Sequence, residues 1–232
     1  MTALILAWLV HLYSATGVIL GFLSIVLIER GDYRTTFWLN ALAVAIDASD
    51  GTLARAARVK ERIPWFDGGR LEDIIDYLTY VVVPSLIFFH AGLLPKNALW
   101  IAAVPMVASA YGFCHAEAKT ADHYFLGFPS YWNILALYLV VLHTPAWLNG
   151  ALILGLALFV FIPIKYIYPS RTTAFRSVTI VLGLIWGALV MLTIYYLPEP
   201  PRGMVYASLF FPVYYTILSF WLSRRQSPAR RS

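Results

Sequence analysis

Long apolar runs dominate the chain, and polar positions come in short bursts between them. A bilayer core of about 30 Å is crossed by roughly 20 apolar residues of helix. Eight runs approach or meet that length, at about 3–28, 36–57, 71–94, 98–117, 129–147, 149–168, 177–197 and 203–223. Pro95, Pro129, Pro169, Pro198, Pro200, Pro201 and Pro228 fall at or just outside run ends, where a missing N–H does least harm to a helix. The fifth and sixth runs share a soft boundary, interrupted only by His143-Thr144-Pro145 and Trp147-Leu148-Asn149. No internal repeat or low-complexity linker divides the sequence. The pattern predicts an all-α, polytopic membrane helix bundle of about eight transmembrane helices in a single domain, 1–232. The first run opens without Lys or Arg ahead of it, which reads as a retained span rather than a cleaved signal.

Composition sharpens this picture. Of 232 residues, 60% are apolar and 12% charged, about half the charged fraction of ordinary soluble domains. One core of this length cannot hide so much apolar surface, so the excess faces lipid. A single cysteine, Cys114, rules out an intrachain disulfide framework. The net charge of +5 sits in short loops and at the C-terminus, a pattern of orientation and anionic-lipid contact rather than nucleic-acid binding. The second, fourth and sixth loops and the tail carry Arg55, Arg58, Lys60, Arg62, Arg70, Lys119, Lys165, Arg171, Arg176, Arg224, Arg225, Arg230 and Arg231, against Arg30, Arg34, Lys96 and Arg202 on the other side. That asymmetry places the richer side, and both termini, in the cytoplasm.

The informative polar bursts are Asp47-Ala48-Ser49-Asp50-Gly51-Thr52-Leu53-Ala54-Arg55 and Gly68-Gly69-Arg70-Leu71-Glu72-Asp73-Ile74-Ile75-Asp76. Intramembrane carboxylates cost a few kcal/mol each on insertion scales and default to a functional reading. Asp47 and Asp50, three apart, share a helix face, as do Glu72 and Asp76, four apart, with Asp73 bordering it. The pattern therefore predicts four or five acids converging on one cytoplasm-facing pocket. Divalent cations relieve their repulsion, and hard oxygen ligands select Mg²⁺ or Mn²⁺ over zinc. Gly51 and Ala54 let a nucleotide or a neighbouring helix approach closely, Gly68 adds space for a cytidine or diphosphate, and Arg55 suits a phosphate. His11, Ser14 and Thr16 of the first run can face it, although hydroxyls bonding back to the helix explain Ser14 and Thr16 equally well.

The first burst matches without exception the motif D-x-x-D-G-x-x-A-R of the CDP-alcohol phosphatidyltransferase family, which the chain resembles. The second half of that motif, G-x-x-x-D-x-x-x-D, is met by Gly68, Glu72 and Asp76, with Glu replacing the third Asp. Starting from Gly69 recovers Asp73 but breaks the last spacing, so the register with Glu72 is preferred. Twelve residues separate Arg55 from Gly68, more than is usual in the family. The longer gap, the runs Asp76–Pro84 and Lys119–Asn133, and eight spans around a six-helix core resemble the family's bacterial phosphatidylcholine-forming branch. The resemblance implies a site of two divalent cations, Mn²⁺ or Mg²⁺, held by Asp47, Asp50, Glu72 (or Asp73) and Asp76, with Asp76 also the general base. It implies CDP-diacylglycerol as donor and CMP as leaving group, in an integral protein of the bacterial inner membrane surrounded by membrane lipids. Self-association as a homodimer is compatible with it.

Choline as acceptor offers no hydrogen-bond donor on its trimethylammonium group, so its site needs ring faces and negative charge, each cation–π contact being worth roughly 0.5–2 kcal/mol. Tyr77, Tyr111, Tyr131 and Trp132 are the expected rings, with Glu117 and Asp122 as free carboxylates. Lys119 and Arg171 are expected on the phosphates of the CDP-lipid. They serve equally an acceptor such as serine, inositol or glycerol phosphate, which leaves those acceptors open. An ion-coupled transporter is the rival class, but it predicts acids spread along a central path rather than gathered at one end.

Overall fold

In the computed structural model, which describes residues 2–169 and 171–226, helix follows helix in the order the apolar runs anticipate. Helix α1 (Thr2–Glu29) packs along α2 (Tyr33–Ala56), whose first turn is capped by Asp32 accepting from the Thr35 N–H. A short α3 (Val59–Arg62) leads into α4 (Gly68–Asp76), capped by Asp67. From there the chain runs without a break through a π-helical stretch, Tyr77–Val82, into α5 (Val83–His90). A 3₁₀ turn, Lys96–Ala103, enters α6 (Val104–Cys114), and α7 (Trp132–Leu142), α8 (Ala146–Phe161), α9 (Arg176–Tyr195), α10 (Arg202–Ser208) and α11 (Phe210–Gln226) follow.

Four of these helical runs, Thr2–Glu29, Lys96–Cys114, Arg176–Tyr195 and Arg202–Arg225, are long and apolar enough to cross a membrane, as befits an integral membrane protein. The other four expected spans form helices that fall short on length or on apolar character. Helix α2 and the α4–α5 rod carry the acids, while α7 and α8 have only 11 and 16 residues. Leu12, Ile19 and Phe22 of α1 and Val181 and Leu184 of α9 point outward, fully apolar and exposed, which is the surface a lipid solvent requires.

Two expectations need correction. The fold is not purely helical: β1 (Tyr124–Leu126) and β2 (Lys165–Ile167) pair antiparallel, Phe125 opposite Tyr166. The sixth run therefore ends at Phe161 rather than near 168, because Pro163 stops the helix and Lys165-Tyr166-Ile167 has the β-branched and aromatic character of a strand. The fourth run likewise stops at Cys114 and the fifth starts at Trp132, since Pro129 and Ser130 (φ +56°) turn the chain. Strand β2 is tied to α11: the Ile167 and Lys165 N–H groups donate to Ser219 and Ser223 (both 3.1 Å), and the Tyr215 hydroxyl donates to the Ile167 carbonyl. The main core gathers around Val81, Val83, Ile87, Phe88, Trp132, Leu139 and Ile153, with Tyr77 and Tyr80 packed against it.

Candidate active site

Small residues bring α1 onto α4. A Cβ added at Gly17 would lie 2.5 Å from the Ile75 side chain, and one at Gly21 would lie 2.5 Å from Leu78. Only glycine admits contact that close, and the approach fixes the face of α4 that carries Glu72 and Asp76. Helix α2, packed on the other flank of α1, presents Asp47 and Asp50 to the same space. The outcome is a small cavity lined by Ser14, Asp47, Asp50, Glu72, Asp76 and Thr79 among others.

Asp47, Glu72 and Asp76 each place a carboxylate oxygen within 4.8 Å of the others. Asp50 lines the same cavity, but its Oδ2 accepts from the Ser14 hydroxyl at 2.7 Å. Asp73 is turned outward toward Lys119, whose Nζ stands 3.8 Å from Asp73 Oδ1 and 3.6 Å from Glu72 Oε1. Of the two neighbours, the geometry thus groups Glu72 with the other acids. The donor set is all carboxylate oxygen, partly buried and convergent from two helices, and it suits a hard divalent cation. Three carboxylates this close cannot persist as bare anions in a low-dielectric setting, so a cation fits the charge as well as the geometry.

Asp47 is held further by the Tyr80 hydroxyl, which donates to its Oδ2 at 2.9 Å. Tyr80 lies on the π-helical stretch that begins just after Asp76, and such local widenings of a helix recur at functional sites. Its spacing of four from Asp76 was a readable signal for a shared face. Tyr131 stands within electrostatic range of Asp47, Asp76 and Tyr168, and packs edge-on against Tyr215 at 5.9 Å.

The other expected residues disperse. Trp132 is fully buried, with its indole N–H donated to Ser109 at 2.8 Å, so its ring serves the core. The Tyr77 hydroxyl donates to the Met106 carbonyl, and the ring meets Phe113 edge-on. Tyr111 is exposed and packs with Phe161 and His115. Glu117 sits in an exposed turn, its N–H given to His115. Asp122 is engaged by Lys165, whose ammonium holds the carboxyl below its usual range.

On the phosphate side, Arg55 is exposed and donates to Thr52 at 2.9 Å. Arg171 is exposed with its guanidinium over the Tyr168 ring. A Cβ at Gly51 would meet only the Arg55 guanidinium, at 3.4 Å, so that position is open as expected. Ala54 instead packs beside the cluster of Ala7, Val10 and Ile63. The room at Gly68 is taken by the His11 ring, 2.7 Å from where a Cβ would stand. The space expected there for a nucleotide is filled in this conformation. Of the other first-helix residues, Ser14 reaches Asp50, whereas Thr16 bonds back to the Tyr13 carbonyl. Arg230 and Arg231 of the tail, and Pro228, lie outside the described residues.

No protein-family profile matches the chain. Curated relatives do. It is 38% identical over 223 residues to the phosphatidylcholine synthase of Legionella pneumophila, covering 93% of this chain and 88% of that one. It is 35% identical to the enzyme of the same name from Pseudomonas aeruginosa, covering 95% and 93%, and 39% identical to that of Borreliella burgdorferi, covering 83% and 82%.

Proposed function

The chain belongs to the phosphatidylcholine synthase family and is a phosphatidyltransferase, and we propose that it moves the phosphatidyl group of CDP-diacylglycerol onto choline, releasing CMP. The observation that carries this reading is the convergence of Asp47, Glu72 and Asp76 from two helices within 4.8 Å, on the spacing of the motif that the sequence carries. Asp47, Glu72 and Asp76, with Asp50 behind them, would hold Mg²⁺ or Mn²⁺. Such ions neutralise a diphosphate and lower the cost of its departing oxygen.

The chain's own residues supply the rest. Asp76 accepts the proton of the choline hydroxyl. The choline oxygen then bonds to the lipid-side phosphorus as the bond from that phosphorus to the oxygen kept by CMP breaks in line. Tyr80 fixes the orientation of Asp47, and Ser14 that of Asp50, so the cluster is preorganised rather than assembled by substrate. Arg55, on the open side beside Gly51, suits the nucleotide phosphate. Tyr131, an expected ring within electrostatic range of Asp47 and Asp76, suits the trimethylammonium group. We place the site at the cytoplasmic face of a bacterial inner membrane, with both termini cytoplasmic, on the Lys and Arg asymmetry of the loops.

The test is CMP release from CDP-diacylglycerol by purified protein in detergent with Mn²⁺ and choline, serine, inositol or glycerol phosphate in turn. Choline alone should raise release well above background. Release with serine and not with choline would overturn the acceptor and keep the enzyme class.

A further inference from the structure

Lys119 is held in an unusual way. Its backbone is pinned: Leu126 N–H donates to the Ala118 carbonyl, Thr120 N–H donates to the Tyr124 carbonyl, and Lys119 itself bridges to Phe125 on β1. Strand β1 pairs with β2, and β2 is fastened to α11 through Ser219, Ser223 and Tyr215. The small sheet therefore ties the far end of the chain to a lysine beside Glu72, one of the acids that line the cavity. The ammonium, by contrast, is loosely engaged. It sits 3.6 and 3.8 Å from single oxygens of Glu72 and Asp73, beyond the roughly 2.7–2.9 Å of a direct charge-assisted bond. Half of the side chain remains exposed. Among the described residues no other Lys or Arg forms an ion pair with these acids.

Such a group stabilises the clustered carboxylates without the directed bonds that would make it costly to remove. Glu72 is also one of the three acids that converge as a cation site. Resting on the reading of that site as a divalent-cation-dependent transferase centre, we propose that Lys119 is a resident counter-cation of the acid cluster, which a divalent cation displaces from Glu72 and which then pairs with the diphosphate of the lipid substrate. A lysine suits this better than an arginine, because its ammonium is a point charge on a flexible stem with no planar fork to satisfy.

Mn²⁺ binding to the purified full-length protein in detergent, followed by calorimetry without substrate, tests the first half. Lys119→Met removes the competing charge and should bind Mn²⁺ about fivefold tighter, the effect of one unit charge near 4 Å screened about as strongly as in water, as for an exposed ion pair. Lys119→Arg should bind as the parent does. At saturating Mn²⁺, Lys119→Met should raise the KM for CDP-diacylglycerol and leave that for choline unchanged. An unchanged or weaker Mn²⁺ constant in Lys119→Met overturns the counter-cation role. A tighter constant with unchanged KM for the lipid overturns the transfer to diphosphate. Parent protein that binds no Mn²⁺ refutes the cation site itself, and with it both readings.

Discussion

The helices before residue 91 and those after residue 131 solve opposite problems. In the first group, glycines at 17, 21 and 68 surrender side-chain volume so that α1 can lie against α4. Every acid of the chain except Glu117, Asp122 and Glu199 falls within the first 76 residues. In the second group, large buried side chains such as Trp132, Leu139 and Ile153 interlock. Their polar atoms are satisfied in neutral pairs: Trp132 with Ser109, Tyr138 with Ser208 and Trp186, and Asn149 with the Leu93 carbonyl. One region spends packing to gather charge, and the other spends polarity only where it locks the frame. Substitutions in the first should therefore strike turnover, and in the second stability.

The largest effect expected is at Asp76. Asn keeps the shape but accepts no proton at neutral pH, so Asp76→Asn should cost turnover about a thousandfold, within the range of a lost general base. Thermal unfolding should move little. Substantial residual CMP release by this variant would remove Asp76 from the role of base. Next comes a test inside the acid cluster. Glu72 converges with Asp47 and Asp76, whereas Asp73 faces Lys119. Glu72→Ala should then cost about a hundredfold in kcat/KM and Asp73→Ala less than tenfold, adjacent helical residues pointing about 100° apart. The reverse order would hand the ligand role to Asp73.

A third experiment asks whether the close packing of the first region serves the site. Gly68→Ala puts a methyl 2.7 Å from the His11 ring, an overpacking worth about 1–3 kcal/mol and thus about tenfold in activity if α4 is displaced. Trimming the obstacle in the double variant His11→Ala, Gly68→Ala should restore most of it. If Gly68 instead leaves room for cytidine, the double variant will stay impaired, with a raised KM for CDP-diacylglycerol.

How far the sequence could be read follows the same division. The helical runs were visible because apolar residues come in long stretches, four of them long and apolar enough to cross a membrane, and the pocket of acids because helical spacing alone puts Asp47 beside Asp50 and Glu72 beside Asp76. Those are local relations. The strands, the Lys119 contacts and the burial of Trp132 arise from residues far apart in the chain, where local pattern carries no information. Trp132 shows the cost most plainly. An aromatic at a predicted helix start reads as an interfacial ring, and only the position of Ser109, 23 residues earlier, turns it into core. Tyr80 was within reach, four residues past Asp76, but it reaches Asp47 from a π-helical stretch, which no periodicity announced.

The smallest predicted effect probes a ring of the second region that stands near the acids of the first. Tyr131 opens α7 in the second region, yet it stands within electrostatic range of Asp47 and Asp76. Its neighbours Phe125 and Tyr215 meet it edge-on, at 6.5 and 5.9 Å. A metal-loaded pocket repels choline, so the trimethylammonium group needs a ring to face, and Tyr131, partly buried against the cluster of Tyr124, Tyr166 and Tyr215, is an expected ring within electrostatic range of Asp47 and Asp76. Tyr131→Ala should raise the choline KM about fivefold, in line with a cation–π contact of about 1 kcal/mol, with the KM for CDP-diacylglycerol unchanged. Tyr131→Phe keeps the ring face and should keep the KM near that of the parent. If Phe fails as badly as Ala, the hydroxyl and its bond toward Tyr215 matter rather than the face, and Tyr131 belongs with the frame after all.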